Sequence, residues 1–245
     1  MLKPWESGPQ KSSRGRDLAA AACESLSSRG WLAGCPADFR KAMLDAAIFR
    51  MASRGQTIIR AGEELGGLVA IASGTAEITL FFDHPDAAFV HLVHSGYWAG
   101  YRPLIGRQRL ISITARGDLL WALVPRHAVQ QMLDANPIWW RHLLDLADDN
   151  VELAVGVMAD LTRQNNMLRA VAVLLRLAGC RTDDPPADSS LTLNLSQSDL
   201  AGLTVMSRNT LNAILQQLEE RGLIHLGYRS ITLLAHQRLQ ALLDD

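Results

Sequence analysis

The sequence predicts an α+β protein with an N-terminal antiparallel β-barrel or jelly roll, a long central helix and a C-terminal winged helix-turn-helix. Three observations carry this. Between residues 56 and 124, short apolar or alternating runs are separated by turn residues at even spacing. From Asn136-Pro137 onward a helix can run without glycine or proline until Gly156, and can continue to about residue 163. Residues 196–224, SQSDLAGLTVMSRNTLNAILQQLEERGLI, read as two capped helices joined by a tight corner, and a hairpin follows.

At 245 residues with 48% hydrophobic content, the chain has enough apolar side chains for one large domain or two ordinary ones. No run of uncharged apolar residues is long enough to span a bilayer, and the start, MLKPWESGPQKSSRGR, lacks the apolar segment of a secretory signal. A cytoplasmic location with no membrane partner is expected. Cys23, Cys35 and Cys180 are widely spaced, odd in number and outside any C-x-x-C pair. They read as reduced thiols, so no metal and no cofactor is expected. The net charge is −1, and residues 164–245 carry seven Lys+Arg against eight Asp+Glu. Any affinity for nucleic acid must therefore come from a local basic face.

Four segments follow: 1–17 as a disordered leader, 18–135 as the barrel domain, 136–164 as the long helix and 165–245 as the winged helix-turn-helix domain. The leader is rich in Lys, Arg, Ser, Gly and Pro. Helices are expected at 18–28 and 37–46. Strand runs at 57–59, 68–72, 76–82, 89–93, 110–115 and 119–124 are divided by turn signals at 61–62, 73–74, 83–86, 95–96 and 117–118. A short helix at 126–133 leads to the long one. In that helix Trp139, Leu143, Leu146, Asn150, Leu153, Val157 and Asp160, or Leu161 in its place, alternate at spacings of four and three. This is the a/d rhythm of a coiled coil, in which a second copy would bury the seam and Asn150 would fix register. The competing reading packs the helix on its own barrel; dimerisation is preferred because the seam outruns a small barrel. Asn165-Asn166 can act as a hinge, 167–178 is amphipathic, and 181–190 is a loop by composition.

In the C-terminal segment, Ser196 and Asp199 make an S-x-x-D capping box, and Ser207 caps the next helix after a turn at 204–206. Leu211, Ile214, Leu215 and Leu218 form the inner stripe of that helix, and Gly222 ends it. Its outer face carries Arg208, Asn209, Asn212 and Gln216, with no acid in the first turn. Arginine can bond guanine in bidentate fashion, and asparagine or glutamine can do so with adenine. Ser196, Gln197, Ser207 and Thr210 lie at the two helix starts, and Arg229 lies at the tip of the hairpin, where it can meet a phosphate. The alternative is a solvated polar face.

Residues 196–234 resemble the winged helix-turn-helix of the Crp/Fnr superfamily of bacterial regulators, and the order of barrel, long helix and DNA-binding domain is similar over about residues 40–240. The most specific matches are the S-R-x-T opening (Ser207, Arg208, Thr210) and the close Leu218, Glu220, Gly222, Leu223, Ile224. The resemblance implies a homodimeric transcription regulator that binds a near-palindromic duplex DNA operator, senses signals through its barrel and has RNA polymerase as a possible partner. Asn209 and Ala213 stand where the family's glutamate and arginine usually do, so a different operator is expected. Val205 stands where glycine is frequent; a β-branched residue resists positive φ, so a reshaped corner is expected.

The family's cyclic-nucleotide members use a G-E-L turn and an R-S pair, which here become Gly100-Tyr101-Arg102 and Arg109-Leu110. The hydroxyl positions on the long helix become Ala154 and Val155. The candidate pocket is Trp98, Gly100, Tyr101, Arg109 and Leu110, without the glutamate for a ribose or the serine beside a phosphate. A response to cyclic AMP is therefore not expected. Trp98, Tyr101, Trp121 and Phe89 line an apolar pocket or fill it, the filled core being preferred. Haem or another small-molecule effector within the same family is the alternative. His91 and His94 are three apart on a strand and point to opposite faces, which disfavours a metal. A cupin-type barrel enzyme would need an H-x-H set, and no catalytic motif is found, so a non-enzyme with no catalytic residue is expected.

Overall fold

The computed structural model describes residues 13–64, 66–80, 88–181 and 190–244. The leader up to residue 12, the turn at 83–86 and the loop at 182–189 lie outside the described residues. Two compact units form, Met1–Ala87 with Leu92–Val151, and Ala88–His91 with Glu152–Asp245.

The first unit opens with α1 (Ser13–Ser28), α2 (Trp31–Gly34) and α3 (Ala37–Asp45). α1 starts at Ser13, five residues before the helix expected at 18–28. Burial of Ala22 and Leu26 along its length anchors it against the sheet. Among the described residues eight strands follow: β1 (Ile48–Ala52), β2 (Thr57–Ile59), β3 (Leu68–Ser73), β4 (Ala76–Leu80), β5 (Ala88–Val93, whose first four residues count with the second unit), β6 (Trp98–Ala99), β7 (Ile111–Ala115) and β8 (Leu119–Val124). They make two four-stranded sheets ordered β1-β8-β3-β6 and β2-β7-β4-β5.

β3 as far as Ala72, and the whole of β8, are apolar because both of their faces are covered. Leu68, Ala70, Ala72, Leu120, Ala122 and Val124 pack with Phe39 and Met43 of α3 and with Val129 and Leu133 of α4 (Arg126–Ala135). The residues between them point to the opposite face. β1 and β6 carry no clear sequence signal: β1 is an edge strand with exposed Ile48 and Met51, and β6 is two residues long.

A 3-10 turn at Pro137–Trp139 precedes α5 (Trp140–Leu161), so the long helix starts later than its proline suggests. The first half of the expected dimer seam packs within the chain. Leu143 and Leu146 are buried in the core of the first unit, and Trp139 packs against that core and stacks edge-on with Phe39 at 5.3 Å. Asn150 receives the Tyr97 hydroxyl at 2.8 Å and donates to the carbonyls of Trp98 and Leu146, so its amide is occupied within the chain. Leu153, Val157 and Leu161 are half-buried. The exposed apolar stripe is instead Trp140, Leu144, Val151, Val155 and Met158. A four-three rhythm fits two neighbouring faces of one helix, and over residues 139–146 the core of the first unit covers one of them.

The second unit contains α6 (Asn166–Leu177), β9 (Leu191–Leu193), α7 (Gln197–Thr204), α8 (Arg208–Glu220), β10 (Ile224–Gly227), β11 (Ser230–Leu233) and α9 (His236–Asp244). α6 is the central helix, with every residue from Ala170 to Leu177 buried, and it packs on α7, α8 and α9. β10 and β11 form the hairpin, and β9 pairs with β11 through Leu193 opposite Ile231.

Candidate nucleic-acid interface

α7 begins at Ser196, whose hydroxyl accepts from the Asp199 N–H at 3.1 Å while the Asp199 carboxylate accepts from the Ser196 N–H at 2.9 Å. The box satisfies two N–H groups that would otherwise lack partners. Leu200, Ala201 and Leu203 are buried, and Thr204 turns its hydroxyl back to the Leu200 carbonyl at 2.8 Å. The helix ends on Val205 at φ 53, ψ 49. The corner is therefore left-handed with a β-branched residue in it. Val205 is 72% exposed, so its branched side chain meets solvent while the backbone holds the turn.

Ser207 caps α8 by accepting from the Thr210 N–H at 3.1 Å, and the two hydroxyls lie 2.8 Å apart. Leu211, Ile214, Leu215 and Leu218 are buried, which turns Arg208, Asn209, Thr210, Ala213 and Gln216 outward. Asn212 is half-buried, its side-chain carbonyl fully covered with no hydrogen-bond partner among the described residues, while Ala213 beside it is exposed. Gln197 is exposed and Ser196 half-buried beside it.

The hairpin turns through Tyr228 and Arg229, with Arg229 at φ 52 and Tyr228 94% exposed. Glu219 sets its attitude. That carboxylate accepts the Leu226 N–H at 2.7 Å and lies 3.3 Å from the His225 ring nitrogen, tying β10 to the end of α8. A sequence reading has no reason to single out Glu219, since the contact depends on how the strand returns beside the helix. Arg208, Arg221, Arg229 and Arg238 are exposed, whereas Arg176 and Arg181 are drawn into ion pairs with Asp160. Apart from Arg181, the exposed arginines of this slightly acidic domain among the described residues lie on α8 or directly after it, at the hairpin tip and on α9.

In the other unit, the candidate pocket residues separate. Trp98 is 1% exposed and stacks edge-on with Trp31 at 5.4 Å, as core. Tyr101 packs beside that core, and Leu110 points outward at 46% exposure. Gly100 and Arg109 do meet. A Cβ on Gly100 would lie 2.6 Å from Nη1 of Arg109, and one on Gly66 would lie 2.3 Å from Nη2, so side chains are excluded from this guanidinium cradle. Nη2 donates to the Gly67 carbonyl at 2.9 Å. Nε lies 3.9 Å from the Glu63 carboxylate, and neither Nε nor Nη1 has a hydrogen-bond partner among the described residues. Burial lowers the Arg109 pKa and Glu63 opposes that. Gly66 and Gly67 escaped the sequence reading because nothing marks a glycine as facing a side chain far along the chain.

The Nδ1 of His91 meets Arg176 at 2.7 Å. Among the described residues no group of three or more His, Cys, Asp or Glu side chains is gathered as a metal site would need, and no helix is long and apolar enough to cross a membrane.

A barrel unit followed by a capped helix-turn-helix with a paired wing defines a two-part DNA-binding regulator. Residues 49–136 match the cyclic nucleotide-binding domain family and residues 168–242 the Crp-like helix-turn-helix domain family. The chain belongs to the Crp/Fnr family of transcription regulators. It is 23% identical over 217 residues to the transcriptional activator protein FnrL of Cereibacter sphaeroides, covering 86% of each chain. In fold it is similar to a Crp/Fnr-family regulator of Thermus thermophilus, with a TM-score of 0.62, 20% identity, and 81% and 99% of the two chains covered. It is also similar to a global regulator of Xanthomonas campestris described as responsive to c-di-GMP, with a TM-score of 0.59, 21% identity and coverage of 81% and 99%.

Proposed function

We propose that the protein is a cytoplasmic homodimer that binds a near-palindromic operator, reading bases with the first turns of α8 and holding phosphates with Arg229 and the start of α7. The observation that carries this is the outward set Arg208, Asn209 and Gln216, presented by a Ser207-capped helix beside a wing oriented by Glu219. A second copy would cover the stripe of Leu144, Val151, Val155 and Met158, whose spacing of seven, four and three suits helix-on-helix packing. Two copies related by a two-fold axis would present two recognition helices to two half-sites, with RNA polymerase as a further partner.

Cyclic AMP is not the effector in this reading. The cradle offers one guanidinium already bonded to Gly67, Leu110 faces outward, and Tyr101 stands where a ribose acceptor would be needed. Each polar group of a nucleotide left without a partner would cost about 1–3 kcal/mol. In this reading the barrel runs to residue 135, the dimerisation helix lies within 136–164 and the DNA-binding domain follows. Selection of operators from random duplexes, with and without cyclic nucleotides, tests the whole reading. A recovered inverted repeat whose binding ignores cyclic AMP is the expected result; failure to enrich any duplex overturns it.

A further inference from the structure

Asp160, in the last turn of α5, is fully buried. One carboxylate oxygen accepts from Nε of Arg176 at 2.8 Å and the other from Nη1 of Arg181. Arg176 lies in the last turn of α6 with its side chain 5% exposed, and Arg181 follows that helix. Arg176 also donates from Nη1 to His91 Nδ1; a guanidinium has only donors, so this imidazole nitrogen accepts. One carboxylate therefore faces two guanidiniums inside the second unit, and Nη2 of Arg176 has no partner among the described residues.

Such a cluster is an inefficient source of stability. Burying each ion costs several kcal/mol, and apolar side chains of similar volume frequently serve as well or better. A planar guanidinium gripping a carboxylate does hold direction, because its donors are fixed in one plane. Direction is what this place in the chain lacks. Only residues 162–165 separate α5 from α6, and Asn165 is occupied in capping α6 through the N–H groups of Met167 and Leu168. α6 in turn carries α7, α8 and α9 packed on it.

We propose that Asp160 and Arg176 are positioning residues for DNA binding: their buried ion pair sets the angle between the end of α5 and α6, and so the attitude of the helix-turn-helix carried on α6. The proposal rests on the DNA-binding reading only for its consequence at the operator. The angle itself is measurable without DNA.

The test replaces the pair by apolar residues, Asp160→Leu with Arg176→Met, in the full-length protein with Cys23, Cys35 and Cys180 changed to alanine. Spin labels at Glu152→Cys and Gln237→Cys, diluted with excess unlabelled protein, report the distance between α5 and α9. The wild-type background should give a narrow distribution. The double variant should melt near the wild type yet give a broad distribution, and affinity for a selected operator should fall about tenfold with relaxed half-site spacing, an effect of ordinary size for coupled elements. If the double variant does not fold, Arg176→Lys decides, since lysine keeps the charge but lacks the planar fork; a broadened distribution supports the joint. A distribution as narrow as wild type in a folded variant overturns it. Should the wild type select no operator, the DNA-binding reading fails while the label distances still judge the joint.

Discussion

Val205 and Arg208 sit three residues apart and do opposite things. Val205 holds φ 53 at the corner, a conformation that costs a β-branched residue about 1–2 kcal/mol. Val205→Gly should therefore raise stability by about 1 kcal/mol with operator affinity unchanged, as measured by urea unfolding alongside gel shift. Arg208 makes no contact that the fold needs, since it is exposed on the first turn of α8. Arg208→Ala should leave the melting temperature alone, cost about 1–3 kcal/mol per half-site and relax preference at one base pair. Equal losses across a panel of single-base operator variants would place Arg208 on phosphate instead. Cys35 yields a pH prediction. Burial first, then nearby Asp145, raises its thiol from an ordinary 9.0 to about 11. A raised pKa means the folded state keeps the proton the unfolded chain gives up. Its contribution is thus full below about pH 9 and lost as pH rises toward 11. Cys35→Ala should flatten the fall in stability across that window in alkaline melts.

Among the elements, α5 is the one whose two faces compete. Leu146 is 1% exposed, so Leu146→Asp buries a charge in the barrel core and should unfold it rather than split a dimer. Leu144 and Val155 are 71% and 51% exposed, so Leu144→Asp with Val155→Asp should give folded monomers in sedimentation that no longer shift an operator. A dimer that survives this change would place the contact on another surface. The wing depends on Glu219, which accepts the Leu226 N–H and faces His225. Glu219→Ala should cost about 1 kcal/mol and speed amide exchange along β10 while leaving α8 protected.

For the whole molecule, effector response is the property that distinguishes readings within the family. The Arg109 cradle is closed by Gly66, Gly67 and Gly100, with room for a guanidinium and none for added side chains. Cyclic AMP or cyclic GMP at a hundred times a real Kd would add about 2.7 kcal/mol of stability and move the melting temperature visibly. No shift is expected. A clear shift that Arg109→Leu abolishes would show that the cradle opens to a nucleotide.

Local chemistry made much of this chain legible from sequence. The Ser196–Asp199 box, the Ser207 cap, the inner stripe of α8 and the strands Thr57–Ile59 and Leu119–Val124 stand where patterning puts them, because caps and periodicity act within a few residues. Choices between chemically similar faces were not local. Which apolar stripe at the start of α5 packs on the barrel, and whether Asn212 or Ala213 is the more exposed, depend on what lies opposite. The same holds for the glycines around Arg109 and for Asp160 meeting Arg176 and Arg181. Periodicity says that a helix has an apolar side. Only the shape and free polar groups of the surface it meets decide which side is buried, since burial and hydrogen bonding are settled by partners distant in the chain.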